Sequence, residues 1–219
     1  MKKSFVIRII VTCAISTIAV AQPLLKKNPL VERIVKDVSS ERLKMTIEKL
    51  ASFGTRHTLS DTISAERGIG AARRWIYSEF QRAAAKAGGR MTVEFQDTLV
   101  PQSNRIPSPT RIVNVVATLR PQTPTNRYVI VSGHYDSRAS SANDGVSNAP
   151  GANDDGSGTA VVLELAKIFS VYAFRTNVVF AAFAGEEQQV EVVAPFALVV
   201  EALEDGIAGV VVDRVETCG

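Results

Sequence analysis

Two apolar runs, Tyr128-Val129-Ile130-Val131-Ser132-Gly133 and Asn177-Val178-Val179-Phe180-Ala181-Ala182-Phe183, are separated by an acidic glycine-rich turn and a helical pattern. Between them Val161, Val162, Leu165, Ile168 and Phe169 recur at helical spacing, so residues 128–183 read as strand, turn, helix and strand. Such a crossover unit joins parallel neighbours in an α/β sheet. Polar residues follow each strand: His134-Tyr135-Asp136-Ser137 after the first, and Glu186-Glu187, past Ala184 and Gly185, after the second. The turn that opens the helix is Pro150-Gly151-Ala152-Asn153-Asp154-Asp155-Gly156-Ser157-Gly158. Open α/β sheets gather ligands at the carboxyl ends of parallel strands, so these three groups fall on one rim.

Upstream, Ser39-Ser40 offers a helix cap, and Leu43, Ile47 and Leu50 keep helical spacing until Gly54. A second helix is expected from near Ser64, with Ile69, Ala72, Ile76, Phe80 and Ala83 on one face and Gly88-Gly89 beyond its end. Trp75, beside Ile76, reads as core packing. Gly68-Ile69-Gly70 is a poor dinucleotide fingerprint, because no strand precedes it and Arg73 stands in the third glycine's place. Met91-Thr92-Val93-Glu94-Phe95-Gln96 alternates like a half-exposed edge strand; Pro101, Pro107 and Pro109 break the pattern before a more apolar strand from Ile112 to Leu119. The Tyr128 strand, apolar on both faces, reads as an inner strand covered by helices on each side.

At 219 residues, with 46% hydrophobic side chains, the chain suffices for one sizeable core, and one domain is expected. Residues 1–21 have the pattern of a secretory signal peptide: Lys2 and Lys3, a mostly apolar run from Ile9 to Val20, and Ala19-Val20-Ala21 before Gln22. That run falls short of the ~20 apolar residues a bilayer span needs. The expectation is cleavage after Ala21 and a secreted or periplasmic chain with no stable membrane association. Lys2, Lys3 and Arg8 account for the net charge of +3, which excludes a basic nucleic-acid-binding surface. Cys13 leaves with the signal and Cys218 stands alone, so the mature chain forms no internal disulfide.

Zinc accepts imidazole nitrogen and carboxylate oxygen, and a hydrolytic site needs a further carboxylate to move a proton. His134, Asp154 and Glu187 are candidate ligands, Glu186 a candidate general base, and Asp136 a candidate partner to orient the imidazole. Taken singly, each residue has a plain reading as a hydrogen-bonded loop residue; their convergence on one rim favours the metal site. His57, beside Arg56, reads as a structural hydrogen-bonding residue. The chain contains no G-x-S-x-G, no Walker loop and no H-E-x-x-H, which argues against serine hydrolases, phosphate-loop NTPases and helical zinc proteases.

Ser132-Gly133-His134-Tyr135-Asp136-Ser137, the Pro150 to Gly158 turn and Phe183-Ala184-Gly185-Glu186-Glu187-Gln188 together resemble the secreted zinc aminopeptidases of metallopeptidase family twenty-eight, as does Leu50-Ala51-Ser52-Phe53-Gly54-Thr55-Arg56-His57. The resemblance implies an α/β three-layer sandwich around a mostly parallel mixed sheet. It implies two zinc ions, with His134 on one, Asp154 (rather than Asp155) bridging both, Glu187 on the other, Glu186 as base and Asp136 holding the His134 tautomer. The reaction implied is removal of N-terminal residues from peptides or proteins. A glutaminyl-peptide cyclase of the same fold, and a binding domain that has lost its metals, are the alternatives.

The family uses two further ligands after its Glu pair, an Asp and a His. No histidine follows His134; Asp213, after Val210-Val211-Val212, is a weak candidate for the Asp. The catalytic domain is expected over residues 22–219, with 188–219 divergent: this part is rich in valine, with Arg214 its sole lysine or arginine. These departures read as a truncated or frame-disrupted gene product that lacks the C-terminal part of the domain, with an open sheet edge and an incomplete second metal site. The sequence carries no reading of oligomeric state or side-chain preference.

Overall fold

The computed structural model describes residues 28–190; the signal segment, Asp213 and Cys218 lie outside them. Four helices and four strands follow one another as α1 (Pro29–Asp37), α2 (Ser40–Ser52), α3 (Gly68–Ala84), β1 (Met91–Val100), β2 (Thr110–Leu119), β3 (Tyr128–His134), α4 (Gly156–Phe169) and β4 (Asn177–Phe183). The strands form one mixed sheet in the order β1-β2-β4-β3. β1 and β2 pair antiparallel from Met91↔Leu119 to Val100↔Thr110, β2 and β4 pair antiparallel, and β3 and β4 pair parallel from Tyr128↔Asn177 to His134↔Phe183. The parallel ladder is the one that α4 spans, as a crossover requires.

Helices α1, α2 and α4 start where a side chain satisfies a free backbone N–H. Ser39 Oγ accepts from the Arg42 N–H and caps α2, as expected. Asp155 caps α4, its Oδ1 accepting from the Gly158 N–H at 2.7 Å. α3 begins at Gly68 rather than near Ser64, because the Ser64 hydroxyl instead accepts from the Glu66 and Arg67 N–H groups in a turn. Gly68 has φ +87°, and a Cβ there would stand 2.3 Å from the Asp61 carbonyl oxygen, so the entry to α3 needs glycine.

The core lies between one face of the sheet and helices α2, α3 and α4. Leu50, Ile76, Phe80, Leu163, Val115, Leu119 and Phe180 meet there, fully or almost fully buried. Each such aliphatic or aromatic side chain stabilises the fold by ~1.5–3 kcal/mol on burial. Trp75 is half-buried against this core, its ring 6.2 Å from that of Phe53, as the packing reading expects. On the opposite face Val116, Val179 and Ala181 form a second cluster with Tyr128, Ile130 and Phe183, so both faces of the sheet are apolar.

β1 lies at an edge, as its alternation predicts. β3 lies at the other edge among the described residues and is half-buried along its length, whereas its apolar faces suggested an inner strand. The inner position belongs to β4, buried almost throughout, because the chain returning from α4 inserts between β2 and β3. Among the described residues no helix is long and apolar enough to cross a membrane.

Candidate functional site

Asp155 joins the end of β3 to the start of α4. Its Oδ2 accepts from the His134 N–H at 3.0 Å while Oδ1 caps the helix, and the Thr159 hydroxyl donates to the His134 carbonyl at 3.0 Å. A Cβ on Gly133 would come within 2.9 Å of the backbone at Gly158 and Thr159, so this glycine permits the helix to approach the strand. With both oxygens occupied in this joint, Asp155 turns its neighbour Asp154 outward, three-quarters exposed.

The His134 ring sits between carboxylates. Its Nε2 lies 3.1 Å from Asp154 Oδ1 and 3.8 Å from Glu186 Oε2, and its Nδ1 lies 3.4 Å from Asp136 Oδ1. Asp136 is fully buried, and its Oδ2 accepts from the Thr58 hydroxyl at 3.1 Å and from the Glu187 N–H at 3.2 Å. One carboxylate therefore touches the ends of β3 and β4 at once. Burial alone would lower the pKa of His134, but the Asp136 hydrogen bond and charge, with Asp155 and Glu186 behind, outweigh it and raise the pKa to about 9.

The structure thus brings His134, Asp136, Asp154 and Glu186 together. The Glu187 carboxylate, close enough to feel the charges of Asp136 and Asp154, is held by a cation: Oε2 pairs with Arg138 Nε at 3.0 Å, and the Glu187 carbonyl accepts from the Arg105 guanidinium at 3.0 Å. Burial raises the Glu187 pKa, with the charges of Asp136 and Asp154 adding and Arg138 opposing. Among the described residues no three His, Cys, Asp or Glu side chains are already gathered as a metal cage.

The donor chemistry nonetheless fits a cation. With its proton on Nδ1, facing the carboxylate of Asp136, His134 presents the Nε2 lone pair to a second carboxylate, Asp154, at 3.1 Å. Two acceptors hold that separation only with a positive charge between or beside them, either a second proton or a metal ion. Two zinc ligands bonded at ~2.0–2.1 Å in tetrahedral geometry stand about 3.3 Å apart, close to the separation seen here. His134 Nδ1 and Asp136 Oδ1 are buried and have no other hydrogen-bond partner among the described residues.

Arg56 lies under this arrangement, fully buried. Its guanidinium donates to four carbonyls: Tyr135 at 2.7 Å, Leu50 at 3.1 Å, Pro150 at 2.6 Å and Gly151 at 2.8 Å. It thereby ties the loop after α2 to the end of β3 and to the turn carrying Asp154; burial pushes its pKa down to about 10. His57 is structural, as expected: Nδ1 accepts from the Leu59 N–H, so Nε2 carries the proton donated to the Ala142 carbonyl at 3.0 Å. Residue-by-residue reading missed the roles of Arg56, Arg105 and Arg138. A buried-core motif such as Gly54-Thr55-Arg56-His57 signals the first; the other two depend on loop closure and have no local signature.

Residues 114–204 match the family model described as peptidase family M28. Over that stretch the chain is similar to peptidase family M28. Among curated relatives, a probable zinc metalloprotease of Leptosphaeria maculans is 48% identical over 158 residues, covering 72% of this chain and 37% of that protein. Leucine aminopeptidase 1 of Aspergillus fumigatus is 32% identical over 129 residues, covering 59% of this chain and 29% of that protein. The chain therefore spans about a third of the length of these relatives. Among solved structures, LapA aminopeptidase of Legionella pneumophila shares the fold at a TM-score of 0.55 and 18% identity, over 84% of this chain and 45% of that one. A glutaminyl cyclase of Porphyromonas gingivalis does so at 0.54 and 17%, over 68% of this chain and 48% of that one. These likenesses show that the chain shares the α/β fold of those two structures.

Proposed function

We propose that the strand-end site belongs to a zinc-dependent aminopeptidase, acting on the N-termini of peptides outside the cytoplasm after cleavage following Ala21. The observation that carries this reading is the approach of His134 Nε2 to Asp154 Oδ1, 3.1 Å apart, with Asp136 behind the ring. The M28 match and the aminopeptidase among the relatives support it. His134, Asp154 and Glu187 would hold zinc, two ions by the family resemblance, with Asp213 a further candidate outside the described residues. When bound, zinc acidifies a water and polarises the scissile carbonyl.

The remaining work falls to the chain. Glu186, half-exposed beside His134, takes a proton from the attacking water at its carboxylate and returns it to the leaving amine. The water oxygen joins the carbonyl carbon, the C–N bond breaks, and a free carboxylate and amine result. Asp136 keeps the His134 ring oriented, and the acidic rim attracts the substrate's α-ammonium group.

Glu186→Gln tests the assignment. Release of aniline from aminoacyl anilides is expected to fall by about 10²-fold or more, while bound zinc per chain stays unchanged. Unchanged turnover would remove Glu186 from the role. Cyclisation of N-terminal glutamine peptides without anilide release would transfer the reading to a cyclase, and absence of zinc after dialysis would favour a non-catalytic binding domain.

A further inference from the structure

Two guanidiniums at the rim have no part in the chemistry above, yet both touch Glu187. Arg138, four residues beyond His134, places Nε 3.0 Å from Glu187 Oε2. Arg105, in the proline-bounded loop between β1 and β2, donates to the Glu187 carbonyl at 3.0 Å. From a third side the Glu187 N–H donates to Asp136 at 3.2 Å. Held in this way, the Glu187 side chain is only 12% exposed, whereas that of Arg138 remains 38% exposed.

The geometry points to Arg138 and Arg105 as positioning residues that form a clamp on Glu187 and present its carboxylate to zinc. This inference rests on the zinc reading given above. A free glutamate loses three side-chain rotations when it binds a metal; one already held has lost them beforehand. Arg138 occupies one direction on one oxygen, and a carboxylate has about four acceptor directions, so Glu187 keeps lone pairs open to a cation. The opposing effect is the charge of Arg138 itself, which repels a dication. Lysine at this position separates the two effects, since it keeps the charge and loses the planar guanidinium contact. Arg105 acts on the backbone and fixes the height of the Glu187 loop rather than the direction of its carboxylate.

The test is zinc affinity of the full chain, measured by competition with a chromophoric chelator, with circular dichroism and urea unfolding as controls for folding. Outer-shell partners of metal ligands are typically worth about 10–100-fold in affinity. Arg138→Ala is expected to weaken zinc binding about tenfold, Arg138→Lys at least as much, and Arg105→Ala by a smaller factor; Arg111→Ala, on β2 and paired with Asp97, is expected to leave it unchanged. In a Glu187→Gln background Arg138→Ala is expected to have no further effect on zinc, which general destabilisation would not mimic. The absorption spectrum of the cobalt-substituted chain should change with Arg138→Ala. Wild-type affinity, or tighter binding, in Arg138→Ala overturns the clamp while leaving the zinc reading in place. A wild-type chain that binds no zinc overturns both.

Discussion

Carboxylates buried against the helices and carboxylates at the strand ends are treated differently by this fold. Glu164 on α4 has a side chain 4% exposed and is met by Arg42 through Nε at 2.9 Å and the terminal nitrogen at 2.5 Å, with the Ser39 N–H adding a third donor at 2.9 Å. Glu79 on α3, also buried, pairs with Lys167 at 3.0 Å and with Arg82. At the strand ends Asp136, Asp154, Asp155, Glu186 and Glu187 crowd round a single imidazole. Among the described residues Arg138 is the one arginine or lysine in ion-pair contact with any of them. Arg56, beneath them, feels the charges of Asp136 and Asp155 but hydrogen-bonds to carbonyls. Where the chain needs packing it supplies its own cations; at the strand ends carboxylates outnumber cations, an arrangement that a cation from outside would suit.

Removing the buried cation common to the strand-end architecture should break the comparison most severely. Arg56→Met leaves four carbonyl acceptors without their donor, and unfolding in urea is expected to show a loss of about 3 kcal/mol or more. Adding zinc at a hundredfold excess over its dissociation constant should stabilise the wild-type chain by about 2.7 kcal/mol. Chelation should reverse this, and His134→Ala should abolish it; a helix-side change such as Arg82→Ala should leave it intact. Glu164→Gln, which discharges the Arg42 partner while keeping the shape, is expected to lower stability by about 1–2 kcal/mol, independent of zinc. Glu186→Gln in the metal-free chain should alter stability by less than about 0.5 kcal/mol, marking the exposed carboxylates as functional rather than structural.

The smallest effect concerns an acid that belongs to neither group. The exposed Asp61 carboxyl accepts from the Ile63 and Ser64 N–H groups, and these bonds hold its pKa below the ordinary value of about 3.9. A depressed pKa means the folded chain binds this proton less readily than the unfolded one. Its contribution is present above the ordinary pKa and is lost as pH falls through the folded value. Urea midpoints measured between pH 6 and pH 3 should therefore decline less steeply in Asp61→Asn than in wild type.

The strands, α2 and α4 were legible because each buries an apolar face with its own period. His134, Asp136, the Asp154 turn and the Glu pair were legible because strand ends deliver side chains to a common rim. α1 escaped notice although it is capped by Asn28, opened by Pro29 and carries Leu30, Val31, Ile34 and Val35 at helical spacing; it is only nine residues long and buries no residue, so Leu30, Val31 and Val35 are exposed. The edge position of β3 was hidden for another reason. Apolar side chains on two faces report burial above and below, not which strands lie alongside. The ion pair of Glu187 with Arg138 and its contact with Arg105 were likewise hidden, since they join segments distant in sequence through loops whose closure has no local signature.

Asp136 has a consequence for how the rim responds to change. Its two oxygens face in different directions, one to the imidazole at the end of β3 and the other to the backbone after β4. The carboxylate therefore acts as a rigid spacer between two parallel strands, and neither end can shift without carrying the other. A displacement of the His134 ring is therefore passed on to the backbone that carries Glu187, and the two halves of the rim respond as one.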